Sequence, residues 1–171
     1  MTYLPLPQAA EQARAWQKQG KTVVTTNGCF DLLHPGHIKA LEAAKALGDV
    51  LIVALNEDAS VKRLKGAERP FNDLETRAAL MGALKPVDLV TSFAEDTPVE
   101  MIRAIQPNIH VKSGDYKAED MPETAAVEAG GGKVVIVPLE GNYSSSKLIE
   151  KIKNSQSVTN FTRPHHVSTT K

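Results

Sequence analysis

The sequence predicts an α/β domain in which helices cover both faces of a five-stranded parallel sheet. Segments with strand character alternate with segments of helical periodicity along most of the chain, and this alternation is typical of parallel sheets covered by helices. Residues 50–55 also form a continuous apolar run, which suits a strand buried on both faces.

The first half of the chain begins this alternation. Residues 8–19 predict a helix, and the β-branched run at 22–26 predicts the first strand. Pro35 begins a pattern with apolar residues at helical spacing, and Gly48 ends it. The strand at 50–55 completes a strand, helix, strand unit, which favours parallel strands joined by a right-handed crossover.

The second half continues the pattern. Three further strands are predicted at 88–91, 109–112 and 134–137. Further helices are predicted near 74–84, from Pro98, at 123–129 and after Ser146. Asp58 is the predicted N-cap of a short helix, and Thr97 and Glu100 have the spacing of a capping box.

We expect one domain over residues 1–153 and a loosely held tail over 154–171. The tail is mostly Ser, Thr, Asn and His without periodicity. No internal repeat or linker divides the rest of the chain.

Composition excludes several classes of function. The 171 residues include 20 Lys plus Arg and 20 Asp plus Glu, so no net charge attracts nucleic acid or an anionic membrane. The single cysteine, Cys29, excludes an internal disulfide and a cysteine-based zinc site. We find neither an export signal nor an apolar run of about 18 residues. We therefore expect a cytoplasmic protein without membrane or nucleic-acid partners.

The loop between the first strand and the following helix, residues 25–37, predicts a phosphate site. It lies beyond the carboxyl end of a strand, where ligands bind in this architecture. Gly28 lets the backbone approach a ligand closely, and Pro35 suits the first helical position. The free N–H groups and the positive end of the helix dipole then favour phosphate oxygens.

Two histidines at this helix start add donors to the site. His34 and His37 are three residues apart, so both rings can reach one anion. Gly36 removes a side chain that would crowd the phosphates. Charge growing on an α-phosphate would strengthen hydrogen bonds from either ring and so stabilise the transition state. The alternatives are histidines that only cap or decorate the helix start, or a zinc site, for which the sequence has no third ligand at a characteristic spacing.

The segment GCFDLLHPGH, residues 28–37, resembles the signature of the cytidylyltransferase-like nucleotidyltransferases. The resemblance implies a Rossmann-like fold and a His-x-Gly-His element that contacts a nucleoside triphosphate. It also implies nucleotide contacts from five loop residues: Asn27, Gly28, Cys29, Phe30 and Gly36. Nothing identifies Cys29 as a nucleophile.

Within this superfamily the chain is similar to the adenylyltransferases that act on heptose 1-phosphate. These occur alone or as the C-terminal half of a bifunctional kinase and adenylyltransferase, and we expect the form that lacks a kinase half.

A basic segment follows the second strand. Residues 56–66 are similar to the family stretch Asn-x-Asp…Lys-Arg-Leu-Lys-Gly. The resemblance implies catalytic roles for Lys62 and Lys65, whose charges would neutralise the developing pyrophosphate, and a substrate contact for Arg69. Charge alone favours a solvated basic face, and the family match reverses this preference for Lys62, Lys65 and Arg69.

Two more residues are candidates for binding the substrate. Arg77 matches a basic position of the family, although an ordinary surface helix would supply such an arginine as well. Asp31 is the second candidate, and it is also the one residue that we consider as a metal ligand.

The remaining matches lie at the ends of later strands. Residues 112–116 resemble the family's Lys-Gly-Gly-Asp-Tyr, which implies nucleotide contacts from Lys112, Gly114 and Asp115, although a plain turn would look similar. The hydroxyl triplet before the last helix resembles a second signature, usually Ser-Thr-Thr. It implies that four residues bind the triphosphate opposite the histidines: Tyr143, Ser144, Ser145 and Ser146. One serine acting only as an N-cap is the alternative.

The resemblance implies transfer of AMP from ATP to D-glycero-D-manno-heptose 1-phosphate, giving ADP-heptose for the lipopolysaccharide inner core. It further implies Mg²⁺ bound mainly through the ATP phosphates, and a homodimer or larger homo-oligomer. Two alternatives remain. One is a cytidylyltransferase acting on glycerol 3-phosphate or a similar alcohol phosphate, and the other is a nucleotide-binding module without turnover.

Overall fold

The computed structural model describes residues 3–115, 117–138 and 143–155. Its five strands form one sheet in the order β3-β2-β1-β4-β5, and all four neighbouring pairs are parallel. The strands are β1 (Val23–Gly28), β2 (Val50–Asn56), β3 (Leu89–Phe93), β4 (Ile109–Ser113) and β5 (Lys133–Val137). The predicted five-stranded parallel sheet is confirmed.

Helices connect the strands, as the periodicity predicts. In the described part of the chain they are α1 (Leu6–Lys18), α2 (Pro35–Lys45), α3 (Asp58–Lys65), α4 (Leu74–Gly82), α5 (Val99–Ile105), α6 (Thr124–Ala129) and α7 (Ser145–Asn154). A 3₁₀ turn at Ala118–Asp120 precedes α6. No helix among the described residues is both long enough and apolar enough to cross a bilayer.

The sheet separates two apolar cores, because alternate strand residues point to opposite faces. On one face, Val23 and Ile52 pack with buried residues of α1, α5 and α6. On the other face, Val24 and Leu51 pack with α2 and α4. Helices therefore cover both faces, as expected.

Two predicted caps are wrong. Helix α5 begins at Val99 with Pro98 as its N-cap residue, so Thr97 lies outside the helix and no side chain caps its first amides. Glu100 instead pairs with Arg103 at 2.5 Å.

The N-cap of α3 is Glu57, and Asp58 lies in the first helical turn. The Asp58 carboxylate accepts a hydrogen bond from Arg77, which is a stronger partner than a backbone amide because the donor is charged.

The strand order places a crevice at the carboxyl edge of the sheet. From β1 the chain moves to β2 and β3 on one side, whereas β4 and β5 lie on the other. The order therefore reverses between β1 and β4, and ligands of open parallel sheets bind at such a point. The loops after these two strands begin at residues 29 and 114. The expected domain boundary near 153 stays a prediction, since residues 156–171 lie outside the described residues.

Candidate active site

The two histidines of the loop lie ring against ring at the start of α2. His34 is the N-cap residue in extended conformation, and His37 follows in the first turn. Their ring centroids are 3.7 Å apart with an interplanar angle of 18°. The structure thus brings together the two side chains that the sequence predicts to converge.

The protonation of this pair follows from its contacts. The backbone N–H of His34 donates to Nδ1 of His37 at 3.3 Å, so the His37 proton resides on Nε2, which is then a donor. Burial and the neighbouring His34 lower the pKa of His37 to about 4. Burial also lowers the pKa of His34. Both rings are therefore neutral donors at neutral pH.

One atom of this pair lacks a partner. Nδ1 of His34 is buried and has no hydrogen-bond partner within the described residues. This nitrogen faces the first turn of α2, where His34 and His37 have the reciprocal arrangement of a capping box, so the alternative of histidines that cap the helix start is present in the structure.

Gly36 lies in close contact with two aromatic side chains. A Cβ atom at Gly36 would lie 3.1 Å from Nδ1 of His34 and 3.3 Å from Cβ of Tyr143. The rings of His34 and Tyr143 are nearly parallel, with centroids 6.3 Å apart. The missing side chain therefore lets His34 and Tyr143 pack close to the helix start.

The loop before the histidines is held in an unusual conformation. Phe30 has a φ of 45°, and its ring lies close to Gly28, where an added Cβ would be 3.0 Å from Phe30 Cε2. The Phe30 ring also lies beside His37, with centroids 5.2 Å apart.

Burial raises the pKa of Cys29, which keeps the thiol protonated. Oδ1 of Asn27 is buried without a partner in the described chain.

Asp31 is an internal anchor of the site. Its carboxylate accepts from Nε of Arg69 at 2.6 Å and from the backbone N–H groups of Phe71 and Asn72, both at 2.9 Å. Burial would raise the pKa of Asp31, but these hydrogen bonds outweigh it and lower that pKa. The side chain is only 1% exposed. Whether Asp31 and Arg69 also bind substrate stays a prediction.

Arg77 is a second internal anchor. Its side chain is 0% exposed, so the alternative of an ordinary surface arginine is wrong. It donates to the carbonyl oxygen of Cys29 at 2.7 Å, to that of Asn72 at 3.0 Å and to Asp58 at 2.7 Å. Arg77 therefore joins the histidine loop to the segment before α4 and to α3, and its direct contact with substrate stays a prediction.

Basic side chains border the site on α3. Lys62 and Lys65 are exposed, and Lys65 is close enough to Cys29 to act against the rise in its pKa. Arg63, by contrast, pairs with Asp96 at 2.7 Å.

The start of α7 lies against the histidine loop. Ser145 donates from Oγ to the carbonyl oxygen of Leu32 at 3.0 Å. Ser144 caps the helix by accepting from the backbone N–H of Lys147, so the alternative of an N-cap serine holds for Ser144. Ser146 is exposed. The hydroxyl triplet and the histidines therefore come from distant parts of the sequence to one region.

The end of β4 brings a further cation to the carboxyl edge. Nζ of Lys112 lies 2.8 Å from the carboxylate of Glu123, and this carboxylate is almost completely buried. Gly114 has a φ of 135° and donates to the carbonyl oxygen of Val137, while Asp115 is exposed. Sequence analysis did not single out Glu123, because an acidic residue before a helix is common.

Two concave surfaces flank these elements. A groove of about 440 Å³ beside the histidines is lined by Leu33, His34, Pro35, Ile38 and Lys39. An apolar groove of about 540 Å³ lies between Tyr3 and α4, away from the histidines. Among the described residues, no group of three or more His, Cys, Asp or Glu side chains is placed to hold a metal ion.

The parallel sheet, its reversal of strand order and the paired neutral imidazoles at a helix N-terminus together define a Rossmann-like nucleotidyltransferase. Residues 25–171 match the cytidylyltransferase-like family, and the chain belongs to this family.

Curated relatives agree with this assignment. The chain is 50% identical over 146 residues to the bifunctional protein HldE of Gluconacetobacter diazotrophicus, covering 85% of this chain and 30% of that protein. It is 50% identical over 151 residues to the bifunctional protein HldE of Actinobacillus pleuropneumoniae, covering 88% of this chain and 31% of that protein. The chain thus spans about a third of the length of these relatives.

Solved structures show the same fold. A lipopolysaccharide core biosynthesis protein from Thermoplasma volcanium aligns with a TM-score of 0.60 and 30% identity, over 73% of this chain and 100% of that one. Pantoate-beta-alanine ligase from Francisella tularensis aligns with a TM-score of 0.57 over 90% of this chain and 77% of that one. The second pair shares 13% identity, so it supports the fold alone.

Proposed function

We propose that this chain transfers the adenylyl group of ATP to D-glycero-D-manno-heptose 1-phosphate, producing ADP-heptose and pyrophosphate. The observation that carries the proposal is the stacked, neutral pair of His34 and His37 at the N-terminus of α2. The similarity to the bifunctional protein HldE and to a lipopolysaccharide core biosynthesis protein supports the choice of acceptor.

The proposed reaction is an in-line displacement at the α-phosphorus of ATP. An oxygen of the sugar phosphate forms a bond to this phosphorus, and the bond to the bridging oxygen of the β-phosphate breaks, so that pyrophosphate leaves. A phosphate monoester with a second pKa of about 6 is largely dianionic at neutral pH, so no general base is needed. Positioning and charge stabilisation are then the work of the protein.

The histidines supply that stabilisation as neutral donors. Nε2 of His37 carries a proton because Nδ1 accepts the His34 backbone N–H. A donor that strengthens its hydrogen bond as charge grows on the α-phosphate lowers the barrier. Lys62 and Lys65 would neutralise the leaving pyrophosphate, since both are exposed on the helix after β2.

The other predicted contacts divide into two groups. Loop and helix-start residues would contact the nucleotide directly: Asn27, Gly28, Cys29, Phe30, Gly36, Lys112, Gly114, Asp115, Tyr143, Ser144, Ser145 and Ser146. Asp31 and Arg77 have their charged groups bound inside the protein, which supports a role in shaping the loop. Arg69 is bound to Asp31 and partly exposed, so its remaining N–H groups are the ones proposed to face substrate.

Mg²⁺ would bind at this site together with the triphosphate of ATP. The Asp31 carboxylate already accepts three internal hydrogen bonds, which leaves phosphate oxygens and water as the main ligands. When bound, the ion would neutralise charge on the phosphates. A homo-oligomer and a cytoplasmic location belong to the same proposal and are supported by the family resemblance.

Pyrophosphate release tests the proposal. The purified chain is incubated with ATP or CTP, each paired with heptose 1-phosphate or glycerol 3-phosphate. We expect release only with ATP and heptose 1-phosphate. Release with CTP and glycerol 3-phosphate would instead identify a cytidylyltransferase. Tight nucleotide binding without release from any pair would identify a binding module.

A further inference from the structure

Four polar side chains form a buried cluster beneath the carboxyl edge of the sheet. Thr25 of β1 and His110 of β4 are register partners, and Thr25 Oγ1 lies 2.9 Å from His110 Nδ1. Glu123, at the start of α6, places Oε1 3.8 Å from Nε2 of His110 and 2.8 Å from Nζ of Lys112. We call these four residues the Glu123 cluster.

Glu123 is charged despite its burial. Its side chain is 2% exposed. Burial alone would raise the pKa of Glu123, but His110 and Lys112 outweigh this effect and lower it to about 2. Burial lowers the pKa of His110, so this ring is neutral at neutral pH. The charged partner of Glu123 in the cluster is therefore Lys112.

Lys112 brings the cluster to the carboxyl edge of the sheet. It lies near the carboxyl end of β4, beside the point where the strand order reverses. Its side chain is 21% exposed, and an ammonium group has three N–H donors. The ion pair with Glu123 and the partial exposure of Lys112 therefore leave N–H donors available to an anion at the carboxyl edge of the sheet.

A fixed lysine binds an anion better than a free one. A lysine side chain has a long flexible stem and loses rotamer freedom when it binds. The ion pair with Glu123 removes part of that freedom in advance, which lowers the cost of binding. A solvent-exposed carboxylate would restrain the lysine less, because ion pairs between exposed side chains are weak.

We propose that Glu123 is a positioning residue that holds the Lys112 ammonium ready for the phosphates of the nucleotide. This inference rests on the proposed function, because it names a residue that serves the same site. Glu123 itself touches no substrate and acts through Lys112.

The test is a double-mutant cycle on Glu123→Gln and Lys112→Ala in the pyrophosphate-release assay. We expect each single variant to raise the KM for ATP about tenfold and to change kcat less than twofold. The double variant should have the KM of Lys112→Ala alone, because Glu123 has then lost the group that it positions. Glu128→Gln, an exposed position on the same helix, should match the wild type.

If Glu123→Gln does not fold, the Glu123→Asp variant tests the inference instead. The shorter side chain keeps the charge, and we expect its KM for ATP to lie between those of the wild type and Lys112→Ala. An unchanged KM in either Glu123 variant would overturn the inference. So would equal increases in KM from Glu123→Gln with and without Lys112, since a general structural defect acts independently of the lysine.

The wild-type protein separates this inference from the proposed function. If the wild type turns over its substrates and the double-mutant cycle shows no coupling between Glu123 and Lys112, only the role of Glu123 is rejected. If the wild type releases no pyrophosphate from ATP and heptose 1-phosphate, the proposed function fails, and with it the inference that depends on it.

Discussion

Replacing Gly36 by alanine should reduce catalysis while leaving the fold intact. An added Cβ would lie 3.1 Å from Nδ1 and 3.2 Å from Cε1 of His34, which forces that ring to move by a few tenths of an ångström. Small displacements of a positioned group are costly, and about 1 Å can reduce a rate about a hundredfold. We expect kcat to fall by about tenfold or more.

Stability should respond in a different way. Alanine is a better helix former than glycine by up to about 1 kcal/mol, and the tight contact with the His34 ring opposes this gain. We therefore expect the free energy of unfolding to stay within about 1 kcal/mol of the wild type, and Tm within about 4 °C for a chain of this length.

The assay compares kcat for pyrophosphate release with thermal unfolding of the same samples. Ala43→Gly is the matched control, because Ala43 is exposed on the same helix. It should destabilise the protein by about 1 kcal/mol and keep wild-type turnover. A Gly36→Ala variant with wild-type kcat would refute the argument that the position of the His34 ring controls the rate.

Three further predictions concern the same loop. His34→Ala and His37→Ala should each lower turnover about a hundredfold or more with the fold intact, and wild-type turnover in both would remove their proposed roles. Asp31→Asn should lower the free energy of unfolding by about 3 kcal/mol, because Arg69 and two amides lose a charged acceptor. Asp73→Asn, at an exposed N-cap, is the control, and in urea unfolding it should change the free energy of unfolding by less than about 0.5 kcal/mol. Equal losses of stability from the Asp31 and Asp73 variants would contradict the anchoring role of Asp31. Finally, His37 has a pKa of about 4 in the folded chain and an ordinary value of 6.5, so between these pH values the unfolded chain binds more protons and the free energy of unfolding should fall as pH drops. The His37→Gln variant should show a weaker dependence of this free energy on pH. The same pH dependence in the variant and the wild type would reject burial of the neutral ring.

Most of the fold could be predicted because its signals are local. The apolar run of β2 and the β-branched run of β1 lie within the strands that the structure shows. The stop at Gly48 follows α2 closely. The capping box at Thr97 was wrong because Pro98 takes the N-cap position there, and cap geometry depends on a single residue of register.

The candidate site could be predicted in part. The spacing of His34 and His37 predicts that their rings converge, and the stacked rings agree. The approach of phosphates at Gly36 stays a prediction, and the structure adds that the His34 ring and Tyr143 pack against this glycine. The contact with Tyr143 depends on a residue more than 100 positions away, which no local pattern reports.

By itself, the sequence determined the alternation of strands and helices, the parallel sheet and the chemistry of the histidine loop, since each depends on residues a few positions apart. Only the tertiary structure decided that Arg77 is buried beneath that loop, that Ser145 donates to Leu32, and that Glu123 forms an ion pair with Lys112. The physical reason is that burial and ion pairing are properties of surfaces brought together by folding. The sequence does not report whether a charged side chain faces water or a buried partner, because only packing sets the solvation of that side chain and its role.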